Sequence, residues 1–400
     1  MPAAIIPHRQ AIEGVDARAI VAAVREAIQA NDARVALHEP EFRGNEWVYV
    51  KECLDTRWVS SIGRFVDRFE SMLQEATGAA HAIATVNGTA ALHVCLRLIG
   101  VQREDEVLVP ALTFIATANA VSYTGATPHF VDSEPRTLGV DPAKLDAYLR
   151  DIAVIRDGVC RNQRTGQVIR ALVPVHTFGH PVDLDALLDV CARWRLTLIE
   201  DAAEALGSSY KGCHAGNFGR AAVLSFNGNK VVTTGGGGAI LTNDSELARR
   251  AKHITTTARV PHPWSFIHDE VGYNYRLPNL NAALGCAQLE CLPDFLERKR
   301  RLAACYLEAF KGVAAVSIMR EPSDCRSNYW LNALLLDRPN ADTRDSVLAA
   351  LNDAGIMARP CWTLMHRLPM YAECPCMDLS EAEGLEARIV NLPSSPFLVK

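Results

Sequence analysis

From residue 80 onward, short β-branched runs alternate with helical stretches, and this alternation constrains the fold more than any other feature of the chain. Between several of the runs lie helical patterns at Thr89–Ile99, Thr113–Tyr123 and Asp183–Trp194. Such alternation is typical of a wide, mainly parallel α/β sheet. The predicted strands are His81–Val86, Glu106–Leu112, Thr127–Asp132, Leu172–His176, Leu196–Asp201, Ala221–Phe226 and Gly238–Thr242.

The rhythm changes after about residue 280, which indicates a smaller α+β domain. A long helical stretch, Asn281–Lys311, is broken or kinked by Pro293. An amphipathic helix is predicted near the start, over about residues 12–30. We therefore expect a helical extension over 1–36, a large domain over 37–280, and a linking helix with a small domain over 281–400. The small domain is predicted to contain strands at Tyr329–Leu336 and Ile356–Pro360 and helices at Asp342–Asp353 and Ser380–Val390.

Composition excludes several classes of protein. With 49% hydrophobic and 22% charged residues, the 400-residue chain is too apolar to be disordered. No apolar run approaches the roughly 18 residues of a membrane span, and the net charge of −5 does not suggest nucleic-acid binding. The twelve cysteines contain no C-x-x-C pair, and Met1–Arg9 does not resemble a signal peptide. We expect a cytoplasmic protein with reduced thiols and no metal site.

Lys230 stands apart from the other lysines. It follows the predicted strand Ala221–Phe226 within SFNGNKVVTTGGGG, a polar loop that bears glycines. Loops at the carboxyl ends of parallel strands are where α/β sheets bind ligands. A partly desolvated lysine there can attack a carbonyl to form a Schiff base, although a surface lysine beside a flexible turn fits the position alone equally well.

Asp201 closes the otherwise apolar strand Leu196–Asp201. A carboxylate at this edge can hold a protonated pyridine nitrogen, bind a metal or a ribose, or cap the following helix. Phe114 follows another strand and suits either the face of a planar cofactor or core packing. Position alone does not decide between these alternatives.

A third group of residues suits a phosphate. The run VNGTAAL joins a strand to a helix, where Gly88 allows a tight turn and Thr89 and Ala90 offer backbone amides at the helix start. Ser225, close to Lys230, adds a hydroxyl. Taken together with the lysine, the aspartate and the aromatic ring, these residues match what pyridoxal phosphate needs.

The chain resembles the fold-type-I, pyridoxal-phosphate-dependent nucleotide-sugar aminotransferases of the DegT type. The likeness extends from about Leu37 to the C-terminus. The family implies a large seven-stranded domain, a small C-terminal domain and a homodimer with shared active sites. The stretches that carry the resemblance are VNGTAAL, PALTFIATANA, IEDAAEALGS, SFNGNKVVTTGGGG, GYNYRLPNLNAALGCAQLE and SNYWLNAL.

The resemblance also implies roles for individual residues. Lys230 matches the Schiff-base lysine, Asp201 the partner of the pyridinium nitrogen, and Phe114 the aromatic residue that stacks on the ring. Glu204 falls where the family often has Gln or His beside the phenolic oxygen. Asn274 matches a residue that reaches the phosphate of the neighbouring subunit. The remaining expected cofactor ligands, around the phosphate, are Gly88, Thr89, Ala90 and Ser225.

A finer likeness, to the enzymes of bacillosamine and legionaminic acid biosynthesis, implies a substrate. We expect the amino group of L-glutamate to pass to the 4-keto carbon of UDP-2-acetamido-2,6-dideoxy-4-keto-hexose. The alternatives are a GDP-linked 4-keto-6-deoxy sugar of the perosamine or bacillosamine type and a dTDP-linked 3-keto sugar. His176 is expected to be structural. The segments Asp324–Trp330 and Arg359–His366 are expected to form the walls of the substrate pocket. The residues in them suggested to contact substrate are Arg326, Tyr329, Arg359 and His366.

Overall fold

A computed structural model of the chain describes residues 14–28 and 34–399. The ends of the predicted helix 12–30 therefore lie outside the described residues. The helices are α1 (Ala17–Ile28), α2 (Glu46–Thr56), α3 (Arg64–Thr77), α4 (Gly88–Leu98), α5 (Ile115–Tyr123), α6 (Pro142–Ile152), α7 (Leu184–Trp194), α8 (Ser245–Thr255), α9 (Asn279–Glu290), α10 (Leu292–Ala309), α11 (Ala341–Asp353) and α12 (Ser380–Glu386).

The strands form a large sheet, a smaller C-terminal sheet and two short ribbons. They are β1 (His81–Thr85), β2 (Glu106–Pro110), β3 (Thr127–Val131), β4 (Ala153–Arg156), β5 (Val159–Asn162), β6 (Val168–Leu172), β7 (Thr197–Asp201), β8 (Ser209–Tyr210), β9 (Cys213–His214), β10 (Ala221–Ser225), β11 (Gly238–Thr242), β12 (Arg259–Val260), β13 (Ile267–His268), β14 (Val316–Ile318), β15 (Cys325–Arg326), β16 (Asn332–Leu336), β17 (Arg359–Pro360) and β18 (Ile389–Leu392).

The large sheet has the strand order β1-β11-β10-β7-β6-β2-β3, with the β4–β5 hairpin attached to β6. The steps from β10 to β3 are all parallel, and β11 is antiparallel to both of its neighbours. Two antiparallel steps restore the direction, so β1 also points the same way as β10. The carboxyl ends of six strands in this order therefore meet at one edge, where α/β sheets bind ligands.

Side-chain caps define where several helices of the large domain begin. Asp141, Asp183 and Asp244 each accept hydrogen bonds from backbone amides in the first turn of α6, α7 and α8. Such caps satisfy amides that have no partner inside the helix. They fix the helix starts directly after the loops that leave the sheet.

The C-terminal sheet is antiparallel, with the order β14-β16-β18-β17. Its core also takes in the first helix: Ile20 and Val24 of α1 are fully buried against Tyr306 of α10 and Leu351 of α11. The N-terminal helix thus completes the hydrophobic core beneath the small sheet. No helix within the described part of the chain combines the length and apolarity needed to cross a membrane.

Four predicted elements differ from the observed ones, among them the strand expected at Ile356–Pro360, which is confined to Arg359–Pro360. The strand expected at Leu172–His176 lies at Val168–Leu172, because Pro174 has no amide to donate to the ladder. The strand expected from Tyr329 begins at Asn332, since Tyr329 has a φ of 48° in the left-handed region. The final helix ends at Glu386, and Ile389–Leu392 instead pairs with β16 and β17.

Candidate active site

A cavity of about 350 Å³ lies at the edge of the large sheet where the parallel strands end. Asp201 is the last residue of β7 and Ser225 is the last residue of β10, its parallel neighbour. Thr89, in the first turn of α4, and Lys230 also line this space. The topology thus brings together residues that are far apart in the chain.

Asp201 is a buried carboxylate, 7% exposed. Its Oδ2 accepts a hydrogen bond from Thr117 Oγ1 at 2.8 Å, and its Oδ1 accepts one from the Ala203 amide at 3.2 Å. Burial raises the pKa of Asp201, while these hydrogen bonds and the charge of Lys230 oppose the rise. No cation among the described residues forms an ion pair with it, so the cavity holds a buried acid without a direct positive partner.

Lys230 is held by a carboxylate and an aromatic ring. Its Nζ lies 3.3 Å from Glu204 Oε1 and 3.9 Å from the centroid of the Trp330 ring. The second carboxylate oxygen of Glu204 accepts the Phe178 amide at 2.9 Å. Burial raises the pKa of Glu204, and the nearby charge of Lys230 opposes the rise. The amine is therefore fixed inside the cavity rather than extended into solvent.

The turn before α4 forms a narrow backbone cradle. A Cβ on Gly88 would lie 3.2 Å from the Ser225 Cβ, and one on Gly238 would lie 2.4 Å from the Asn87 backbone. These glycines allow the α4 start, β10 and β11 to approach closely. The Ala90 amide, however, donates to Asn87 Oδ1 at 2.8 Å. Of the four expected phosphate ligands, Gly88, Thr89 and Ser225 line the cavity and Ala90 does not.

Phe114 and Trp362 are neighbouring aromatic residues in the lining of the cavity. Phe114 is 52% exposed, and its ring centroid lies 6.3 Å from that of Trp362. Both residues line the cavity, together with Asn229. Because Phe114 is half exposed, core packing does not explain its position, and its ring remains available to a planar ligand.

His176 lies behind the cavity, not in it. Its Nε2 donates to Glu200 Oε2 at 3.0 Å, and its Nδ1 accepts the Val182 amide at 3.2 Å. Burial raises the pKa of Glu200, but hydrogen bonds from His176 and from the Gly219 amide hold it below the usual value overall. The His176 amide also donates to the Asp201 carbonyl at 3.1 Å. The pair thus supports the strand end that carries Asp201.

The donor set fits pyridoxal phosphate. The buried Asp201 carboxylate suits the protonated ring nitrogen, and the Lys230 amine suits the aldehyde. The glycine-lined cradle with Thr89 and Ser225 suits the phosphate, since a side chain on Gly88 would close it. The exposed face of Phe114 suits the ring.

The four residues suggested to contact substrate lie outside the lining of this cavity. Arg326 is on β15, which pairs with β8, and it lines a separate groove. The hydroxyl of buried Tyr329 accepts the Glu321 amide, and its ring packs against His180. Arg359 donates to Asn352 Oδ1 at 3.0 Å, and His366 Nε2 lies 3.4 Å from Glu383 Oε1.

Asn274 also lies away from Lys230 in the same chain. With Arg259, Arg276 and Ser61 it lines an open groove of about 700 Å³. The side-chain Nε of Arg276 is buried there without a hydrogen-bond partner. This basic groove contains no acidic side chain in its lining and therefore suits an anionic group.

Among the residues that line the cavity, sequence reasoning did not single out Thr117 and Asn229. Thr117 follows Thr113 by one helical turn, and the two hydroxyls lie 2.9 Å apart. That spacing was a usable signal once Thr113 was placed at a strand end. The segments expected to form the walls, Asp324–Trp330 and Arg359–His366, do reach the cavity, but through Trp330 and Trp362 and not through the residues suggested to contact substrate.

The sequence of the chain matches a known enzyme family. The sequence model of the DegT/DnrJ/EryC1/StrS aminotransferase family matches residues 40–400. A GDP-perosamine synthase of Caulobacter vibrioides is 40% identical over 370 residues, which cover 92% of this chain and 95% of the relative. A GDP-perosamine synthase of Escherichia coli O157:H7 is 38% identical and covers 91% and 94% of the two chains.

Solved structures show the same fold. The crystal structure of a DegT DnrJ EryC1 StrS aminotransferase from Brucella abortus superposes with a TM-score of 0.80 at 28% identity. The match covers 89% of this chain and 91% of that one. The expected fold type I, with its large, mainly parallel sheet and smaller C-terminal sheet, is thereby confirmed.

Proposed function

The chain belongs to the DegT/DnrJ/EryC1/StrS aminotransferase family, and we propose that it transfers the amino group of L-glutamate to C4 of a GDP-linked 4-keto-6-deoxy sugar. The family membership makes it a pyridoxal-phosphate-dependent enzyme that acts on nucleotide sugars. The observation that carries the proposal is the lining of one cavity by Lys230, Asp201 and Glu204, in a chain 40% identical to a GDP-perosamine synthase.

The choice of GDP departs from the expectation drawn from sequence. The resemblance to the bacillosamine and legionaminic acid branch favoured a UDP-linked 2-acetamido sugar. Two similar relatives that cover more than nine-tenths of this chain are instead named GDP-perosamine synthases. These names support the GDP-linked alternative, with a perosamine-type product.

The proposed catalytic roles follow from the geometry of the side chains. When bound, the cofactor supplies an electron sink that stabilises negative charge on the carbon that loses its proton. Lys230 would hold and move that proton at Nζ, because its amine is fixed inside the cavity by Glu204 and Trp330. Asp201 would keep a positive charge on the ring nitrogen, because a buried carboxylate without an ion-pair partner favours a cationic neighbour.

The walls of the cavity suggest where the sugar binds. Trp362 and Asn229 also line the cavity, and we assign them to contact with the sugar ring, while Phe114 is assigned to the cofactor ring. Aromatic faces suit the apolar face of a 6-deoxy sugar, and the Asn229 amide suits a hydroxyl.

We also propose a homodimer with shared active sites. Trp47, Trp264 and Phe266 are 84%, 79% and 77% exposed, far more than large apolar residues of a monomer usually are. The basic groove around Asn274 would then face the phosphate of the neighbouring subunit's cofactor. The cytoplasm is the proposed location, because the twelve cysteines are free thiols in the structure.

One rate comparison tests the substrate. With glutamate saturating, initial rates are measured on GDP-linked 4-keto-6-deoxy-hexose, on UDP-2-acetamido-2,6-dideoxy-4-keto-hexose and on a dTDP-linked 3-keto sugar. We expect the GDP sugar to give the highest kcat/KM. A preference for the UDP sugar would restore the first expectation, and a preference for the 3-keto sugar would overturn the position of amination.

Mixing variants tests the shared site. Lys230→Ala and Asn274→Asp subunits are each expected to be inactive, and exchange between them leaves one intact site in a hybrid dimer. Some activity should return on mixing. No return despite proven subunit exchange would contradict the shared site.

A further inference from the structure

Lys299 is a fully buried lysine, 0% exposed, in the middle of α10. Its Nζ contacts Ser394 O at 2.6 Å, His38 Nε2 at 3.1 Å and Trp330 O at 3.2 Å. No acidic side chain among the described residues forms an ion pair with it. Burying a lysine amine without a counter-charge costs free energy, so a function of Lys299 would explain why it is placed there.

Its three partners lie far apart along the chain. His38 lies in the segment 35–39, here called the N-terminal strap, all of which precedes the residues matched by the family model. Ser394 lies in the turn after β18, and Trp330 lies just before β16. Lys299, on the linking helix, therefore connects the strap to two backbone carbonyls of the small domain.

The strap is attached to the small domain by further bonds. The Ser394 amide donates to Leu37 O at 2.7 Å, and the Glu39 amide donates to Ser395 Oγ at 2.8 Å. Val35 forms a parallel bridge with Ile356. The strap is thus fixed on both sides of His38.

One of the two carbonyls that Lys299 contacts belongs to Trp330, whose ring lies against Lys230. The Trp330 ring lies 3.9 Å from Lys230 Nζ, and its indole N–H donates to Asn229 O at 2.7 Å. The Trp330 amide donates to Asn328 Oδ1 at 2.8 Å, so the backbone is held from the other side as well. Lys299 is therefore linked to Lys230 by two contacts: its hydrogen bond to the Trp330 carbonyl, and the packing of the Trp330 ring against Lys230.

We propose that Lys299 is a positioning residue of the active site, which fixes the Trp330 indole against Lys230 by binding the Trp330 carbonyl, the Ser394 carbonyl and His38. Two of the three partners are carbonyl oxygens, which only accept hydrogen bonds, so the position needs a donor, and a lysine nitrogen supplies one in either protonation state. The proposal rests on the proposed function, because it gives Lys299 a role only if Lys230 carries the cofactor.

The test measures capture of pyridoxal phosphate by the apoenzyme. The Lys230 amine condenses with the cofactor's aldehyde and releases one water, and borohydride reduction then fixes the bond for peptide mapping. The variants are Lys299→Met, Trp330→Leu and the double variant. The matched control is Lys311→Met, which removes an exposed lysine just beyond the end of α10.

We expect Lys299→Met to slow capture at Lys230 about tenfold, since it leaves two buried carbonyl oxygens without a donor. The control should capture at the wild-type rate. Because Lys299 acts through Trp330, the double variant should be no slower than the worse single variant. A merely structural lysine would instead give effects that multiply.

The outcomes separate this inference from the proposed function. If the wild type is labelled at a lysine other than Lys230, the assignment of the active site fails. If the wild type is labelled at Lys230 while Lys299→Met captures at the same rate, or the two effects multiply, the inference is overturned. Should Lys299→Met not fold, His38→Ala removes one hydrogen-bond partner of Lys299 only and is expected to slow capture about threefold. An unchanged rate in that variant also contradicts the proposal.

Discussion

At the cofactor end of the cavity, Asp201 and Ser225 close two strands that are hydrogen-bonded neighbours, whereas Trp330, beside Lys230, and Trp362, at the substrate end, come from segments of the small domain. The first pair is placed by the sheet itself, because parallel neighbours must end at the same edge. The second pair depends on how the small domain packs on the large one. Positions tied to a sheet edge can be inferred from a strand pattern, but positions carried by a docked domain cannot.

The largest expected effect tests the cofactor end. Lys230→Ala should lower kcat by about 10⁴-fold or more, because no other lysine lines the cavity to move the proton. The fold and non-covalent cofactor binding should persist, since Asp201 and the glycine cradle are untouched. Steady-state rates measure the loss of kcat, and a cofactor titration measures the non-covalent binding that should persist. A variant that keeps a tenth of wild-type activity would show that the lysine is not the proton carrier.

Asp201→Asn removes the charge while keeping an acceptor for the Ala203 amide. We expect kcat to fall about a hundredfold, as for the loss of one preorganised electrostatic partner. The melting temperature of the apoenzyme should not fall, because burial already disfavours the charged carboxyl there. Near-normal activity would mean that Asp201 only caps the segment after β7.

The buried lysine at the domain junction makes a pH-dependent prediction. Burial lowers the pKa of Lys299 from its ordinary 10.5 to about 7. Between these two values the unfolded chain binds the proton more strongly than the folded chain, so folding stability from this group rises with pH across the window. The full effect is about 5 kcal/mol, because each pKa unit corresponds to about 1.4 kcal/mol.

Urea unfolding of wild type and Lys299→Met at pH 7 and pH 9 measures this effect. From pH 7 to pH 9, the unfolding free energy of wild type should rise by about 2 kcal/mol relative to that of Lys299→Met. Lys311→Met serves as the control, and its difference from wild type should stay constant. Parallel stabilities of wild type and Lys299→Met would show that Lys299 does not titrate in this range.

The smallest expected effect tests the substrate end. Arg326→Ala should change kcat and KM for the nucleotide sugar by less than about twofold, because Arg326 lines a separate groove and exposed side chains contribute little. Trp362→Ala, in the cavity wall, is the comparison variant and should raise KM. A tenfold rise in KM for Arg326→Ala would place this arginine on the substrate after all.

Part of the site could be predicted because local rules decided it. Gly88, Thr89 and Ser225 follow from strand ends and a helix start, and each lines the cavity. Ala90 was expected to offer its amide to a phosphate, but the Asn87 side chain takes that amide as a helix cap. The amides at the start of a helix need hydrogen-bond partners. This requirement predicts a ligand site at the start of α4, and it also explains why the Ala90 amide is already occupied by Asn87.

The sequence by itself determined the alternation of strands and helices, the residues at the strand ends and the family. These features depend on periodicity and on groups within a few residues of one another. Only the tertiary structure decided that Trp330 lies beneath Lys230, that Arg326 and Arg359 lie away from the cavity, and that Lys299 is buried among three segments. The physical reason is that these contacts join parts of the chain separated by tens to hundreds of residues, and their geometry is set by how one hydrophobic core packs against another.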